Sequence, residues 1–294
     1  MTIALYSRSI HVRDVAFIQK LLYTLRDRKI NVLIYEGYYK ELKQIIDVPS
    51  SFTTFNTHND IHNTVNYFIS LGGDGTLLDA VMFVRNYEIP VMGVNLGRLG
   101  FLAYVGKNEI NEALDALFNG TFTVDMRTMI SLEATPSLFG ELNYALNEFT
   151  IVKKDTSSML TIHAYLNGEF LNSYWADGLI VSTATGSTGY SLSCGGPIIA
   201  PSSSDFVITP ISPHNLNVRP FIVPDNSVIS FEVEGRNLNY LCTLDSRIET
   251  IDSSYLLAIK KCEHMLSLVR LPDHSFLRTL SSKLNWGSDS RRRY

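Results

Sequence analysis

Gly72-Gly73-Asp74-Gly75-Thr76 combines the residue types of a phosphate turn with a carboxylate. An apolar run at 65–71 precedes it, and a helix-like run at 77–84 follows. Glycines let the backbone approach an anion, and a helix start presents unpaired N–H groups to it. An acidic side chain in that place repels phosphate unless it takes a proton or holds a metal ion. The stretch lacks the Gly-Lys-Ser/Thr ending of a P-loop and the Gly-x-Gly-x-x-Gly of a dinucleotide fold. It therefore suggests phosphoryl transfer by another design. The alternative is an ordinary strand-to-helix turn.

Residues 177–197 form a second constellation. Asp177 precedes a strand-like stretch that runs into small residues and hydroxyls, among them Thr185, Thr188, Gly189, Tyr190, Ser191 and Ser193. Hydroxyls and exposed N–H groups can cradle a polyphosphate or a ribose, although a plain serine-rich loop has the same composition. Cys194 lies in this stretch and reads as a small packed residue, since no nearby basic group would lower its pKa. Asn147-Glu148 is a third candidate. It sits inside an apolar β run, where an amide and a carboxylate need partners unless the chain simply turns there.

The elements that must position these residues change character along the chain. Residues 2–7 read as a strand. Ile18, Leu21, Leu22 and Leu25 recur at helical spacing within 14–29. Residues 31–35 and 90–95 are again strand-like. Ile110, Ala113, Leu114 and Leu117 mark a helix that Gly120 stops. His58 and His62 have the i, i+4 spacing of a metal pair, but residues 57–64 read as a polar loop, which disfavours a metal site there. The βαβ rhythm predicts a parallel sheet covered by helices. After Gly120 the stretches 124–133, 145–152, 159–166, 178–182, 228–234 and 238–244 are short and strand-like. Asn167-Gly168 is a strong hairpin signal, and 234–237 is a second turn of this kind. Residues 273–284 look helical, and 288–294, with Arg291-Arg292-Arg293, read as a frayed tail. The expected architecture is an α/β domain over 1–122 and a β-rich, sandwich-like domain over 123–270. A helix within 271–294 would return to the first domain.

With 294 residues, 45% of them hydrophobic, the chain can bury the cores of two domains. A formal charge of −4 gives no electrostatic case for nucleic-acid binding. Cys194, Cys242 and Cys262 lack metal spacing and suggest a reducing compartment. No apolar run approaches the roughly 20 residues that span a bilayer, and 1–6 is too short for a signal h-region. The expected setting is cytoplasmic, with no membrane partner.

Taken together, the three motifs resemble the NAD kinase family. That family carries a Gly-Gly-Asp-Gly turn, an Asn-Glu or Asn-Asp pair and a Thr-Pro-Thr-Gly-Ser-Thr-Ala-Tyr-Ser-Leu-Ser-like loop in this order. The match extends to 95–102 and 211–220. The turn alone is shared with diacylglycerol-type lipid kinases and 6-phosphofructokinases. The chain departs from the pattern at Ala184, where proline is usual, at Gly189, where alanine is usual, and at Ser246, where glycine is usual.

The resemblance implies transfer of the ATP γ-phosphoryl group to the adenosine-ribose 2′-hydroxyl of NAD. Mg²⁺ or another divalent cation would assist, and the assembly would be a homodimer or homotetramer. Asp74 would act as general base or orient the hydroxyl, within the turn of Gly73, Gly75 and Thr76. Asn147 and Glu148 would hold the adenine side of NAD, its ribose or a metal. Asp177 would bond the nicotinamide end or the polar edge of the dinucleotide. Thr185, Thr188, Gly189, Tyr190, Ser191 and Ser193 would line the adenosine pocket. Asn95, Phe101 and Asp245 join them as binding residues, with Phe101 equally suited to core packing. The motifs hold no cluster of lysines or arginines to neutralise a triphosphate. Backbone N–H groups and a metal are expected to do so, with Arg98 in assistance. Two rival functions are a soluble lipid kinase and a non-catalytic nucleotide-binding regulator.

Overall fold

The computed structural model describes residues 1–154, 159–234, 239–272 and 274–286. The chain forms two compact units, Met1–Met126 with Leu266–Tyr294, and Arg127–Met265.

The first unit opens with β1 (Thr2–Tyr6), α1 (Val15–Asp27), β2 (Asn31–Tyr35), α2 (Glu36–Ile45), β3 (Thr53–Phe55) and α3 (His58–Ile61). It continues with β4 (Tyr67–Gly72), α4 (Asp74–Leu78), α5 (Ala80–Val84), β5 (Val91–Asn95), β6 (Val105–Gly106), α6 (Ile110–Asn119) and β7 (Thr123–Arg127). α1 and α6 bury the apolar faces that their spacing predicts. Gly120 ends α6 in the left-handed conformation at φ 67°, which only glycine adopts without strain. Two local expectations change. The polar loop at 57–64 contains α3, because Thr57 and Asp60 form a reciprocal capping box. The helical run after the glycine turn is divided by a turn at Asp79, whose carboxylate is tied to β1 and its following connection.

The second unit is built from β8 (Ile130–Thr135), β9 (Tyr144–Ala145), β10 (Glu148–Lys153), β11 (Leu160–Leu166), β12 (Glu169–Ala176) and β13 (Gly178–Thr183). After α7 (Tyr190–Ser193) come β14 (Asp205–Ile211), β15 (Phe221–Pro224), β16 (Ile229–Glu234), β17 (Tyr240–Leu244), β18 (Arg247–Ile251) and β19 (Leu256–Lys261). One sheet runs β15-β14-β13-β10-β17-β18 and the other β12-β11-β16-β19-β8-β9, with antiparallel pairing. Their inner faces share one core, in which Phe149 of β10 lies 5.8 Å from Phe231 of β16. Asn167 and Gly168, at φ 52° and 83°, make the tight hairpin between β11 and β12. β14 carries Pro210 without breaking, because Pro210 pairs with β13 while β15 extends only beside 205–208. The turn expected at 234–237 falls largely outside the described residues, as does the 288–294 tail.

The chain then returns to the first unit as β20 (Leu266–Arg270) and α8 (Phe276–Leu284). The first sheet runs β3-β2-β1-β4-β5-β20-β7, with β6 beside β5. Pairing among β1 to β6 is parallel, and β20 joins β5 in parallel. The stretch 124–133 is therefore not one strand. Its first part, β7, lies in this sheet, and its second part, β8, lies in the sandwich. Leu266–Arg270 likewise belongs to the first sheet rather than to the β-rich unit.

Candidate active site

In the first unit, β4 delivers the glycine turn to the carboxyl edge of the parallel sheet, where such folds carry ligands. Gly73 and Gly75 are exposed, and Asp74 is half-buried. The Asp74 carboxylate accepts three backbone N–H groups. Phe101 N–H donates to Oδ2 at 2.8 Å; those of Leu102 and Ala103 donate to Oδ1 at 3.0 and 2.9 Å. A carboxylate offers about four lone-pair sites, so room for one more donor remains. Gly100 makes this approach possible, since a Cβ there would lie 1.9 Å from Asp74 Oδ1.

The loop that supplies those donors is organised by Asn95. Its Nδ2 donates to the carbonyls of Arg98 and Ala103, and its Oδ1 accepts Gly97 N–H at 2.7 Å. Asn95 is buried. It shapes the loop, and its polar atoms are already engaged. Phe101 packs 6.0 Å from Phe276 of α8, with Lys283 over its ring at 5.0 Å.

A network behind the turn holds it in place. Buried Asp79 accepts the Tyr6 hydroxyl at 2.9 Å and two N–H groups of Arg8, from Nε and Nη2. Arg8 Nη2 also donates to the Gly75 carbonyl at 2.9 Å. Burial, then Asp79, pushes the Tyr6 phenol well above its ordinary range, so it remains a donor. Nothing in the local sequence singles out Arg8 or Asp79, and Gly100 is marked only as part of the 95–102 match. The available signal is topological: Arg8 follows β1, and β1 neighbours β4 in the sheet.

In the second unit the Asn147-Glu148 pair lies where the chain leaves one sheet and enters the other, between β9 and β10. The apolar run at 145–152 is interrupted there for a specific reason. The N–H groups of Leu146, Asn147 and Glu148 all donate to the Asp245 carboxylate, at 2.9, 2.8 and 3.2 Å. Asp245 sits at the turn of the β17–β18 hairpin, at φ 51°. Three backbone hydrogen bonds to its carboxyl group offset the strain of that left-handed position, while burial pushes the group above its ordinary range. Asp245 thus positions the pair from behind.

Two atoms of the pair are orphaned. Asn147 Oδ1 and Glu148 Oε2 are buried with no hydrogen-bond partner. Burial pushes the Glu148 carboxyl up to about 8, and the Asp245 charge adds to the shift. At neutral pH it is largely protonated and can donate as well as accept. Gly189 lies beside the pair. A Cβ there would come 3.1 Å from Glu148 Oε2 and 3.4 Å from Asn147 Nδ2. Glycine at 189 avoids that tight contact with the unsatisfied polar atoms.

The surrounding loop divides into scaffold and surface. Ser191 is fully buried and shares a hydrogen bond with Thr209 at 2.8 Å. Thr185 is buried and accepts Arg127 Nη1 at 3.2 Å, while the Thr188 hydroxyl donates to the Thr185 carbonyl. These hydroxyls hold the loop's shape. Tyr190 and Ser193 are exposed. Burial, then Cys194, Asp177 and Glu148, raises the Tyr190 phenol. Asp177 is paired with Lys153 at 2.7 Å. Among the described residues no group of three or more His, Cys, Asp or Glu could hold a metal ion.

Comparison with known proteins follows the same division. The ATP-NAD kinase N-terminal domain matches residues 4–122, and the ATP-NAD kinase C-terminal domain matches 146–271. An NAD kinase of Cytophaga hutchinsonii is 50% identical over 292 residues, covering 99% of this chain and 100% of that protein. One of Flavobacterium psychrophilum is 45% identical, with the same coverage. Yeast NADH kinase complexed with NADH has a TM-score of 0.89 at 22% identity, covering 98% of this chain and 88% of that chain. An NAD kinase from Archaeoglobus fulgidus in complex with ATP has a TM-score of 0.70 at 21% identity, covering 97% and 99%. These two likenesses are of fold. On the match of both domains and of full-length relatives, the chain belongs to the NAD kinase family.

Proposed function

We infer that this protein is an NAD kinase that moves the γ-phosphoryl group of ATP to the adenosine-ribose 2′-hydroxyl of NAD, forming NADP. The observation that carries the substrate side is the buried, unpartnered pair Asn147 Oδ1 and Glu148 Oε2 beside Gly189. Such atoms call for a ligand with hydroxyl and amine groups. Acyl chains against them would leave the polar atoms stranded. Family membership gives no support to the lipid-kinase or non-catalytic readings.

Each unit has its part in this reading. In the first, Asp74 is pinned by three N–H donors and offers its remaining lone pair to the 2′-hydroxyl. It orients that oxygen toward the γ-phosphorus, and positioning is most of what phosphoryl transfer requires. The exposed Gly73 and Gly75 let the phosphates approach, with Thr76 closing the turn. In the second, Asn147, Glu148 and Tyr190 hold the adenosine, and Asp177 takes a polar edge of the dinucleotide. Thr185, Thr188 and Ser191 keep their loop in shape from within, as Asn95 does for the loop that pins Asp74. Phe101 serves by presenting its N–H. Ser193 adds an exposed hydroxyl.

A divalent cation, Mg²⁺ by preference, would arrive on the triphosphate, neutralising charge there while waters fill most of its shell. The described side chains suit that arrangement better than a resident all-protein site. We further propose a homodimer or homotetramer working in the cytoplasm. The test is direct. Pure protein with ATP, Mg²⁺ and NAD should produce NADP, and an NAD analogue lacking the 2′-hydroxyl should bind without being phosphorylated. Equal phosphorylation of the analogue, or a preference for diacylglycerol, would overturn the assignment.

A further inference from the structure

We propose that Arg8 is a phosphate-binding residue, taking an oxygen of the nucleotide triphosphate at the 72–76 turn; this rests on the phosphotransferase reading above. A guanidinium carries five N–H donors in a fixed plane. In Arg8, Nε donates to Asp79 Oδ2, and Nη2 donates to Asp79 Oδ1 and to the Gly75 carbonyl. Three donors are therefore used. The two on Nη1 make no hydrogen bond within the described residues, and the side chain is 49% exposed.

The free pair lies beside the turn. Nη1 lies 3.8 Å from where a Cβ on Gly75 would be, so it overhangs the exposed glycine next to Asp74. The guanidinium is not free to leave. Swinging out would strip the buried Asp79 carboxylate of its cation, a strongly unfavourable change. A second guanidinium comes from the same connection. Arg13 Nη2 lies 3.7 Å from the corresponding Cβ position on Gly97, after the next strand but one from β1. The connection after β1 thus places cations over the turns that follow β4 and β5. A planar pair of N–H groups matches phosphate oxygens, and this supplies the positive charge that the motifs themselves lack.

A purely structural clamp would make the same contacts to Asp79 and Gly75, so the test must separate the two. Binding of ATP, ADP and AMP to the full chain is measured by calorimetry, for wild type and Arg8→Met. A phosphate contact predicts that ATP and ADP affinity falls about 10- to 100-fold while AMP affinity is unchanged. Equal weakening of all three nucleotides, or no weakening, overturns the proposal. Should Arg8→Met fail to fold, the wild-type protein answers the same question. Modification of Arg8 by an arginine-directed dicarbonyl, read by peptide mapping, should be blocked by ATP and not by AMP. Equal protection, or none, overturns it. These readouts do not use turnover. A wild-type chain that forms no NADP would sink the proposed activity while leaving the test of Arg8 intact.

Discussion

Replacing Glu148 by glutamine should change how stability depends on pH, by an amount the structure sets. The Glu148 carboxyl is pushed from 4.5 up to about 8, first by burial and then by Asp245. Below the unfolded value, both states hold the proton and Glu148 contributes nothing. As pH rises from about 4.5 to about 8 the unfolded chain ionises first, so the native state loses stability throughout that window. The full penalty is about 5 kcal/mol, of which about 3–4 falls between roughly pH 5 and pH 8. Glu148→Gln removes the titrating group and should flatten that part of the profile. Urea unfolding of the second unit, followed by Trp175 fluorescence in a Trp286→Phe background, reads the difference at both pH values. Wild type should lose about 3–4 kcal/mol more than the variant over that interval. Saturating NAD should shrink the gap, because hydroxyl donors to Oε2 favour the anion. Superimposable profiles would refute both the buried setting and its consequence for binding.

Asp74→Asn should lower NADP formation by at least about 10²-fold with NAD affinity largely retained, checked by steady-state kinetics and calorimetry. Near-normal turnover would remove Asp74 from the chemistry. Gly100→Ala should lower turnover to a similar degree without touching any substrate group, because its Cβ would fall 1.9 Å from Asp74 Oδ1. Activity like wild type in a folded Gly100→Ala protein would show that the pinned carboxylate is not needed. The protein should elute as a dimer or tetramer, and light scattering that reports about 33 kDa at micromolar concentration would contradict the proposed assembly.

Local patterns were legible wherever one stretch of chain decides its own structure. The periodic faces of α1 and α6, the stop at Gly120 and the Asn167-Gly168 hairpin follow from neighbours a few residues apart. So does the change from βαβ rhythm to short strands. The three motifs were legible too, because glycine, carboxylate and hydroxyl in close succession are hard to explain by packing alone. What each polar atom does was decided at long range. Asp74 is pinned by a loop 27–29 residues away, and Asp245 reaches back 97–99 residues to Leu146, Asn147 and Glu148. Ser191 and Asn95 look like ligand donors in sequence, yet their partners lie inside the fold. Arg8 is the converse. It is an unremarkable residue after the first strand until parallel pairing of β1 with β4 sets it over Gly75. Hydrogen bonds form between surfaces that topology brings together, and a sequence read along its length does not display those surfaces.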